Sequence, residues 1–187
     1  AVIQGNIPQD IKWDDNDLQY IINKHKSMTY KAIGKKNYDL VIWPETALPI
    51  TLPSDETHMP GWMSIDRPFN VPLLTGALTR DKKHNYEKLN NSALLFSREL
   101  DIIGRYSKVH LVPFGEYVPL SGYLELGTLV AQSGAFSPGG GFNLIEFDDT
   151  HFGTFICFES IFPDIGRAFK NKGADFFPHL NHFISPF

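Results

Sequence analysis

The sequence has one cysteine, Cys157. That excludes an internal disulfide framework and every metal site built from several cysteines. Excess charge is scarce as well: 17 basic and 21 acidic residues leave a net charge of −4. Such a balance gives no electrostatic footprint for nucleic acid, which is excluded as a partner class. Long hydrophobic runs are also missing. The longest charge-free run, Leu126 to Ile145, is 20 residues but contains Gly127, Gly134, Pro138, Gly139, Gly140 and Gly141. It reads as a glycine-rich loop, because such a segment cannot satisfy its backbone as one helix in lipid. No signal peptide opens the chain, which starts on the strand-like Ala1-Val2-Ile3-Gln4 without a Met. The expectation is a piece excised from something longer.

What is present suits one folded domain over residues 1–187. Apolar residues are 42% and aromatics 13% of the chain, enough for a sizeable core. A strand is expected over Ala1–Asn6, ended by the turn signal Gly5-Asn6-Ile7-Pro8. Apolar residues then recur at helical steps from Leu18 to Ile33, predicting a helix over Asp14–Lys36 with acids at its start and lysines at its end. Tyr38–Trp43 reads as a buried parallel strand stopped by Pro44. Further strands are expected over Val71–Leu78 and Ser92–Phe96, with a polar hairpin or loop over Arg80–Asn91. A hairpin through Asp148-Asp149 should join Asn143–Phe147 to His151–Ile156. Ile161–Lys172 should be a helix closed by Gly173, followed by a strand from Ala174. The fold class is α/β in layers, a sheet-rich sandwich with helices outside.

Three segments place an ionisable residue after an apolar strand. Glu45 follows Val41-Ile42-Trp43-Pro44, at the mouth where open α/β sheets hold ligands; a surface glutamate is the plain alternative. Lys108, between Tyr106-Ser107 and Val109, could be a desolvated cation or could snorkel from an edge strand. Glu116 follows Phe114-Gly115, a turn able to fold it back toward Lys108. His110 reads as a packed or surface side chain. Cys157 stands at a strand-to-helix junction, near the positive end of the following helix, which favours thiolate. There the N–H of Phe158 would face the reaction zone, as in a nucleophile elbow; an inert core thiol is the alternative. Taken jointly, a carboxylate, an ammonium and a thiol supply the general base, oxyanion stabiliser and nucleophile that acyl transfer requires. His179 and His182 have a metal-like spacing, but too few ligands accompany them for a metal site, and no cofactor is expected.

At these residues the chain resembles the nitrilase (carbon–nitrogen hydrolase) superfamily, in which a Glu-Lys-Cys triad occurs in this order. Within it, the chain is similar to the apolipoprotein N-acyltransferase family. The resemblance is carried by Gln4-Gly5-Asn6-Ile7-Pro8-Gln9 with Lys12-Trp13-Asp14, by Trp43-Pro44-Glu45-Thr46-Ala47-Leu48-Pro49, by the run from Lys108 to Pro119, and by Cys157-Phe158-Glu159. It implies an αββα sandwich. It also implies catalysis by Glu45, Lys108 and Cys157, with Glu116 and Glu159 orienting Lys108 and the base. The Phe158 N–H would serve as an oxyanion donor, and Trp13 would line a lipid-facing mouth or simply pack in the core. Phe158 stands where the family usually has Tyr.

The implied partners are a phospholipid acyl donor and the amino terminus of a diacylglyceryl-cysteine lipoprotein. The implied setting is a bacterial inner membrane, with the domain facing the periplasm. Two departures accompany the resemblance. The family's transmembrane helices are absent from this segment, and residues 178–187 do not follow its pattern, so a domain truncated at its C-terminal end is expected. A soluble nitrilase-type amidohydrolase, or an inactive binding module, are the other readings.

Overall fold

A computed structural model describes residues 1–8, 11–12, 14, 16–61, 69–80, 89–117 and 136–181. The main sheet is organised around β3 (Leu73–Arg80), whose residues are buried from Leu73 to Thr79. Two short strands lie parallel to it in succession. β1 (Val41–Ile42) pairs Val41 with Leu73 and Ile42 with Leu74. β2 (Leu48–Pro53) begins with Leu48 opposite Ala77. On the other side β4 (Leu89–Phe96) runs antiparallel, and β5 (Ile102–Ser107) continues the sheet beside β4. Both sides of β3 are hydrogen-bonded and both faces covered, so Leu73–Thr79 is buried without a break.

The sheet separates two cores. On one face α1 (Leu18–Ile33) contributes Ile22 to a cluster with Trp43, Leu48, Leu73, Leu94 and Phe96. On the other, Leu74, Ala93, Leu95 and Tyr106 pack with Phe152, Ile156, Ile165 and Phe169. That second layer is built by the hairpin β6 (Ile145–Phe147) and β7 (Thr150–Phe152), by β8 (Phe155–Ile156) parallel to β9 (His179–Leu180), and by α2 (Pro163–Asn171). Helix, sheet, small sheets and helix in that order give the expected layered α/β class.

Several boundaries differ from expectation. α1 begins at Leu18, because Asp14 Oδ1 accepts the Asn16 N–H at 2.9 Å and holds a turn there instead of a helix. The strand expected over Ala1–Asn6 reduces to a bridge between Val2 and Ile42, and Tyr38–Trp43 reduces to β1. The helix expected from Ile161 is split into a short 3-10 turn over Cys157–Ile161 and α2, with Pro163 starting the second piece. Arg80 and Leu89–Asn91 belong to strands rather than to the polar connection. β2 has no counterpart among the expected strands, and the strand expected before Lys108 carries no bounds there: Leu48–Pro53 has two prolines and Ile102–Ser107 has Gly104 and Arg105, so neither alternates cleanly. The strand from Ala174 is a bridge of Phe176 to Phe152 before β9. The hairpin through Asp148-Asp149 forms, with Asp148 at φ 48°, but its second arm ends at Phe152, and Phe155-Ile156 pairs with β9 instead. Residues 126–135 of the glycine-rich run lie outside the described residues, as do 81–88.

Candidate functional site

Glu45 occupies the gap between β1 and β2. Pro44 has no N–H for the ladder, so the chain leaves the edge of β3 after Ile42 and rejoins it at Leu48. The detour is anchored by Trp43 N–H to Leu74 O at 2.9 Å and by Gly76 N–H to Pro44 O at 3.2 Å. Behind it, the fully buried Trp43 indole donates to Thr29 Oγ1 at 2.9 Å. Thr46 takes φ 44°, a left-handed conformation that a non-glycine residue adopts only when its surroundings impose it.

Lys108 follows β5 and is 1% exposed. It does not snorkel. Its Nζ lies 2.9 and 2.8 Å from the two oxygens of Glu116. Glu116 returns to it through the expected turn: Phe114 sits at φ 62°, the Glu116 N–H bonds Val112 O at 2.9 Å, and the Val112 N–H donates to Glu116 Oε2 at 2.8 Å. Asn91, one strand away on β4, donates through Nδ2 to Glu45 Oε1 at 2.8 Å and to Glu116 Oε1 at 3.3 Å. One amide thus joins the two carboxylates.

Cys157 is the first residue after β8 and holds φ 53°. Glu159, fully buried, ties this elbow to the end of β5. Its Oε2 accepts the Ile156 N–H at 3.0 Å, while Oε1 accepts the Tyr106 hydroxyl and the Val109 N–H, each at 2.8 Å, and the His110 N–H at 3.2 Å. An ionised carboxylate with four donors needs no further partner to be stable in the interior. Against Glu159, burial and the carboxylate's charge push the Tyr106 hydroxyl far above its usual range, so it stays protonated and donates.

The thiol itself is pushed up, against the pull toward thiolate expected from the strand-to-helix junction. Burial acts first and the charge of Glu45 second; Lys108 and a hydrogen bond from the Phe158 N–H act in the opposite direction and are outweighed. The element after Cys157 is a five-residue 3-10 turn rather than an α-helix, so little dipole is available to reverse the balance. Burial thus keeps the thiol protonated, with the Glu45 carboxylate near enough to act on it.

Glu45, Lys108, Cys157, Glu116, Glu159 and the Phe158 N–H are therefore in one place. Trp13 lies outside the described residues, as does His182. His179 Nε2 is 2.9 Å from Cys157 O. His110 packs between Phe142 and Phe162. No group of three or more His, Cys, Asp or Glu among the described residues is arranged to hold a metal ion. A cavity of about 420 Å³ lies elsewhere, lined by Ser92, Arg105 and Ser107. Successive strand residues face opposite ways, so it sits behind Asn91 and Lys108 rather than at the thiol.

Sequence reasoning assigned no role to Asn91, Tyr106 or Lys12. Asn91 had a usable signal, a strand-averse residue two positions before the apolar run Ala93–Phe96. Tyr106 shares the face of Lys108 by period two. Lys12 is 5% exposed and donates from Nζ to Glu45 O at 3.3 Å.

The carbon-nitrogen hydrolase family model matches residues 1–185. The apolipoprotein N-acyltransferase of Geobacter metallireducens is 36% identical over 175 residues, covering 93% of this chain and 34% of that protein. That of Pseudomonas syringae pv. tomato is 33% identical over 174 residues, covering 90% and 33%. The chain thus spans about a third of the length of the curated relatives it matches. Among solved structures, a nitrilase-superfamily protein from Saccharomyces cerevisiae superimposes with a TM-score of 0.64 at 18% identity, covering 89% of this chain and 60% of that one. A carbon-nitrogen hydrolase from Helicobacter pylori gives 0.61 at 20%, covering 96% and 58%. These two show the fold.

Proposed function

Because the chain belongs to the carbon-nitrogen hydrolase family, we propose that it is the catalytic domain of an apolipoprotein N-acyltransferase. In this reading a fatty acyl group passes from a phospholipid, through a thioester on Cys157, to the amino-terminal amine of a diacylglyceryl-cysteine lipoprotein. The observation that carries the reading is the Asn91 amide joining Glu45 to the Glu116–Lys108 pair, with the Cys157 thiol in the field of Glu45 and Lys108. The identity to apolipoprotein N-acyltransferases supports the choice of reaction.

Glu45 takes the thiol proton as Sγ attacks the ester carbonyl of the donor. The C–S bond forms, the carbonyl becomes an oxyanion, and the Lys108 ammonium with the Phe158 N–H balances its charge. Collapse breaks the C–O bond, and the proton held by Glu45 passes to the leaving alkoxide, giving a lysophospholipid. The lipoprotein amine then attacks the thioester, Glu45 removes its proton, and the thiolate leaves and is reprotonated. Glu116 holds Lys108, Asn91 steadies both carboxylates, and Glu159 fixes the elbow. Dividing ester-to-amide transfer into two steps is covalent catalysis.

No helix among the described residues is long and apolar enough to cross a membrane. In this proposal the membrane-embedded portion belongs to the two thirds of the relatives' length that the chain does not match, and the site works at the periplasmic face of a bacterial inner membrane. Intact mass spectrometry after incubation with phospholipid vesicles tests the reading, using the chain and a longer protein containing it. The expected result is an acyl mass on wild-type protein, absent from Cys157→Ala, that is discharged by a diacylglyceryl-cysteine peptide. No acyl mass in the longer protein overturns the reading. Discharge to water alone replaces it with an amidohydrolase.

A further inference from the structure

The main-chain carbonyl of Cys157 is held from outside its own turn. His179 of β9 places its Nε2 2.9 Å from Cys157 O, and the Ser160 hydroxyl reaches the same oxygen at 3.3 Å. A carbonyl can only accept, so Nε2 carries the proton and donates. Strand register puts the imidazole there. β8 and β9 run parallel, with Phe155 opposite His179 and Ile156 opposite Leu180, and the Phe155 N–H bonds Pro178 O at 2.9 Å. Leu180 is buried in the second core, whereas His179 is exposed; successive strand residues face opposite ways. His179 therefore reaches past the end of β8 to the first residue beyond it.

Cys157 is a non-glycine residue at φ 53°, a conformation that persists only where the surroundings impose it. The peptide that follows it is trans and planar, so its C=O and N–H point in opposite directions and turn together. Its oxygen is the Cys157 carbonyl, and its N–H is that of Phe158. A bond that fixes the direction of one fixes the other.

We propose that His179 is a positioning residue for the oxyanion site, fixing through the Cys157 carbonyl the peptide whose Phe158 N–H balances the charge of the attacked substrate carbonyl. The proposal rests on the reading of Cys157 as an acyl-transfer nucleophile and of the Phe158 N–H as an oxyanion donor. His179 meets main chain rather than the thiol. The other groups of the site have holders of their own: Glu116 for Lys108, Asn91 for the Glu45 carboxylate, and Glu159 for the Ile156 N–H that enters the elbow. Loss of His179 should therefore act on the oxyanion and spare the rest.

The test compares two reactions of the one thiol in the chain at a single pH. Acylation by p-nitrophenyl butyrate passes through an oxyanion: the S–C bond forms, the C–O bond breaks, p-nitrophenolate leaves, and the thiol proton passes to Glu45. Alkylation by iodoacetamide displaces iodide at a saturated carbon and forms no oxyanion. Both consume the thiolate, so their ratio cancels any change in its amount. His179→Leu should lower the ratio of acylation to alkylation about tenfold, a share of the ~10²–10³-fold that outright loss of an oxyanion donor costs, with its urea midpoint retained. His179→Gln restores an N–H at a similar reach and should stay within about threefold of wild type on that same scale. An unchanged ratio in the Leu variant, a Gln variant as impaired as the Leu variant, or a ratio that falls only together with the urea midpoint overturns the proposal. Failure of the underlying reading looks different: wild type then alkylates at Cys157 but takes no acyl group from the ester, and the proposal falls with it. Acylation that is equal in wild type and both variants removes the role of His179 alone.

Discussion

Gly76 on β3 lies directly against the main chain of Glu45: a Cβ at residue 76 would meet Glu45 Cα at 2.7 Å and overlap the Thr46 nitrogen. Glu45 can occupy the break between β1 and β2 because the central strand has no side chain at this position. A glycine inside a buried strand thus makes room for the Glu45 segment.

Gly76→Ala is expected to push the Glu45 segment away. Main chain rather than a flexible side chain blocks the added methyl, so the cost should be about 1–3 kcal/mol, typical of overpacking. Urea denaturation measures this. Acylation of Cys157 should fall further than the loss of folded protein explains, since Glu45 moves relative to the thiol. A variant that is stable and fully active would show that the segment relaxes freely.

Glu116→Ala should be among the most destabilising substitutions at the site. It strips the carboxylate from Lys108, which is 1% exposed, and leaves a buried charge uncompensated, at a cost of about 3–5 kcal/mol. Glu116→Gln keeps one acceptor oxygen and should lose less. Chemical denaturation of both variants decides; equal stability of the Ala variant and wild type would mean that solvent reaches Lys108.

Glu45→Gln preserves an acceptor for the Asn91 amide but cannot take the thiol proton. Acyl-enzyme formation should slow by about 10²–10⁴-fold, the range for loss of a general base, with little change in the denaturation midpoint. Stopped-flow or quenched mass measurements of thioester formation check this, and an unchanged rate would assign proton removal to another group.

The fold should also lose stability in mild acid through His25. Its ring is 1% exposed beside Trp43, its Nδ1 lies 2.9 Å from Ile21 O, and Nε2 has no partner among the described residues. The carbonyl can only accept, so Nδ1 carries the proton of a neutral ring. Burial lowers its pKa below the ordinary value of 6.5. The folded state therefore binds this proton less readily than the unfolded chain. Stability should be full above pH 6.5 and decline as pH falls from there through the lowered value. Urea midpoints measured across that interval should fall in wild type and lose part of this slope in His25→Gln.

Much of the site is legible in the sequence because its groups follow apolar strands, and such runs carry their own signal. Val41-Ile42-Trp43, Ile102–Ser107 and Phe155-Ile156 each deliver a reactive group at their C-terminal end. The return of Glu116 to Lys108 could be anticipated from Phe114-Gly115. β2 escaped, and β5 was anticipated only as an unbounded strand before Lys108, because proline, glycine and arginine interrupt them and their strand character comes from pairing with β3 and β4. The state of the thiol escaped for a related reason. Proximity to a helix start suggested a thiolate, whereas burial and the approach of Glu45 raise its pKa.

The amino-acid sequence by itself determined which chemistry is available: one thiol, its flanking acid and base, and their order along the chain. Only tertiary structure decided which of them meet. Asn91 joins Glu45 to Glu116, Lys12 reaches the Glu45 carbonyl from 33 residues away, and Glu159 gathers donors from β5, β8 and the loop between Ser107 and Leu111. Contacts between residues so far apart follow from strand register and from the close packing permitted at Gly76. Local propensity carries no record of either, because each is set by neighbours that the chain meets only after it has folded.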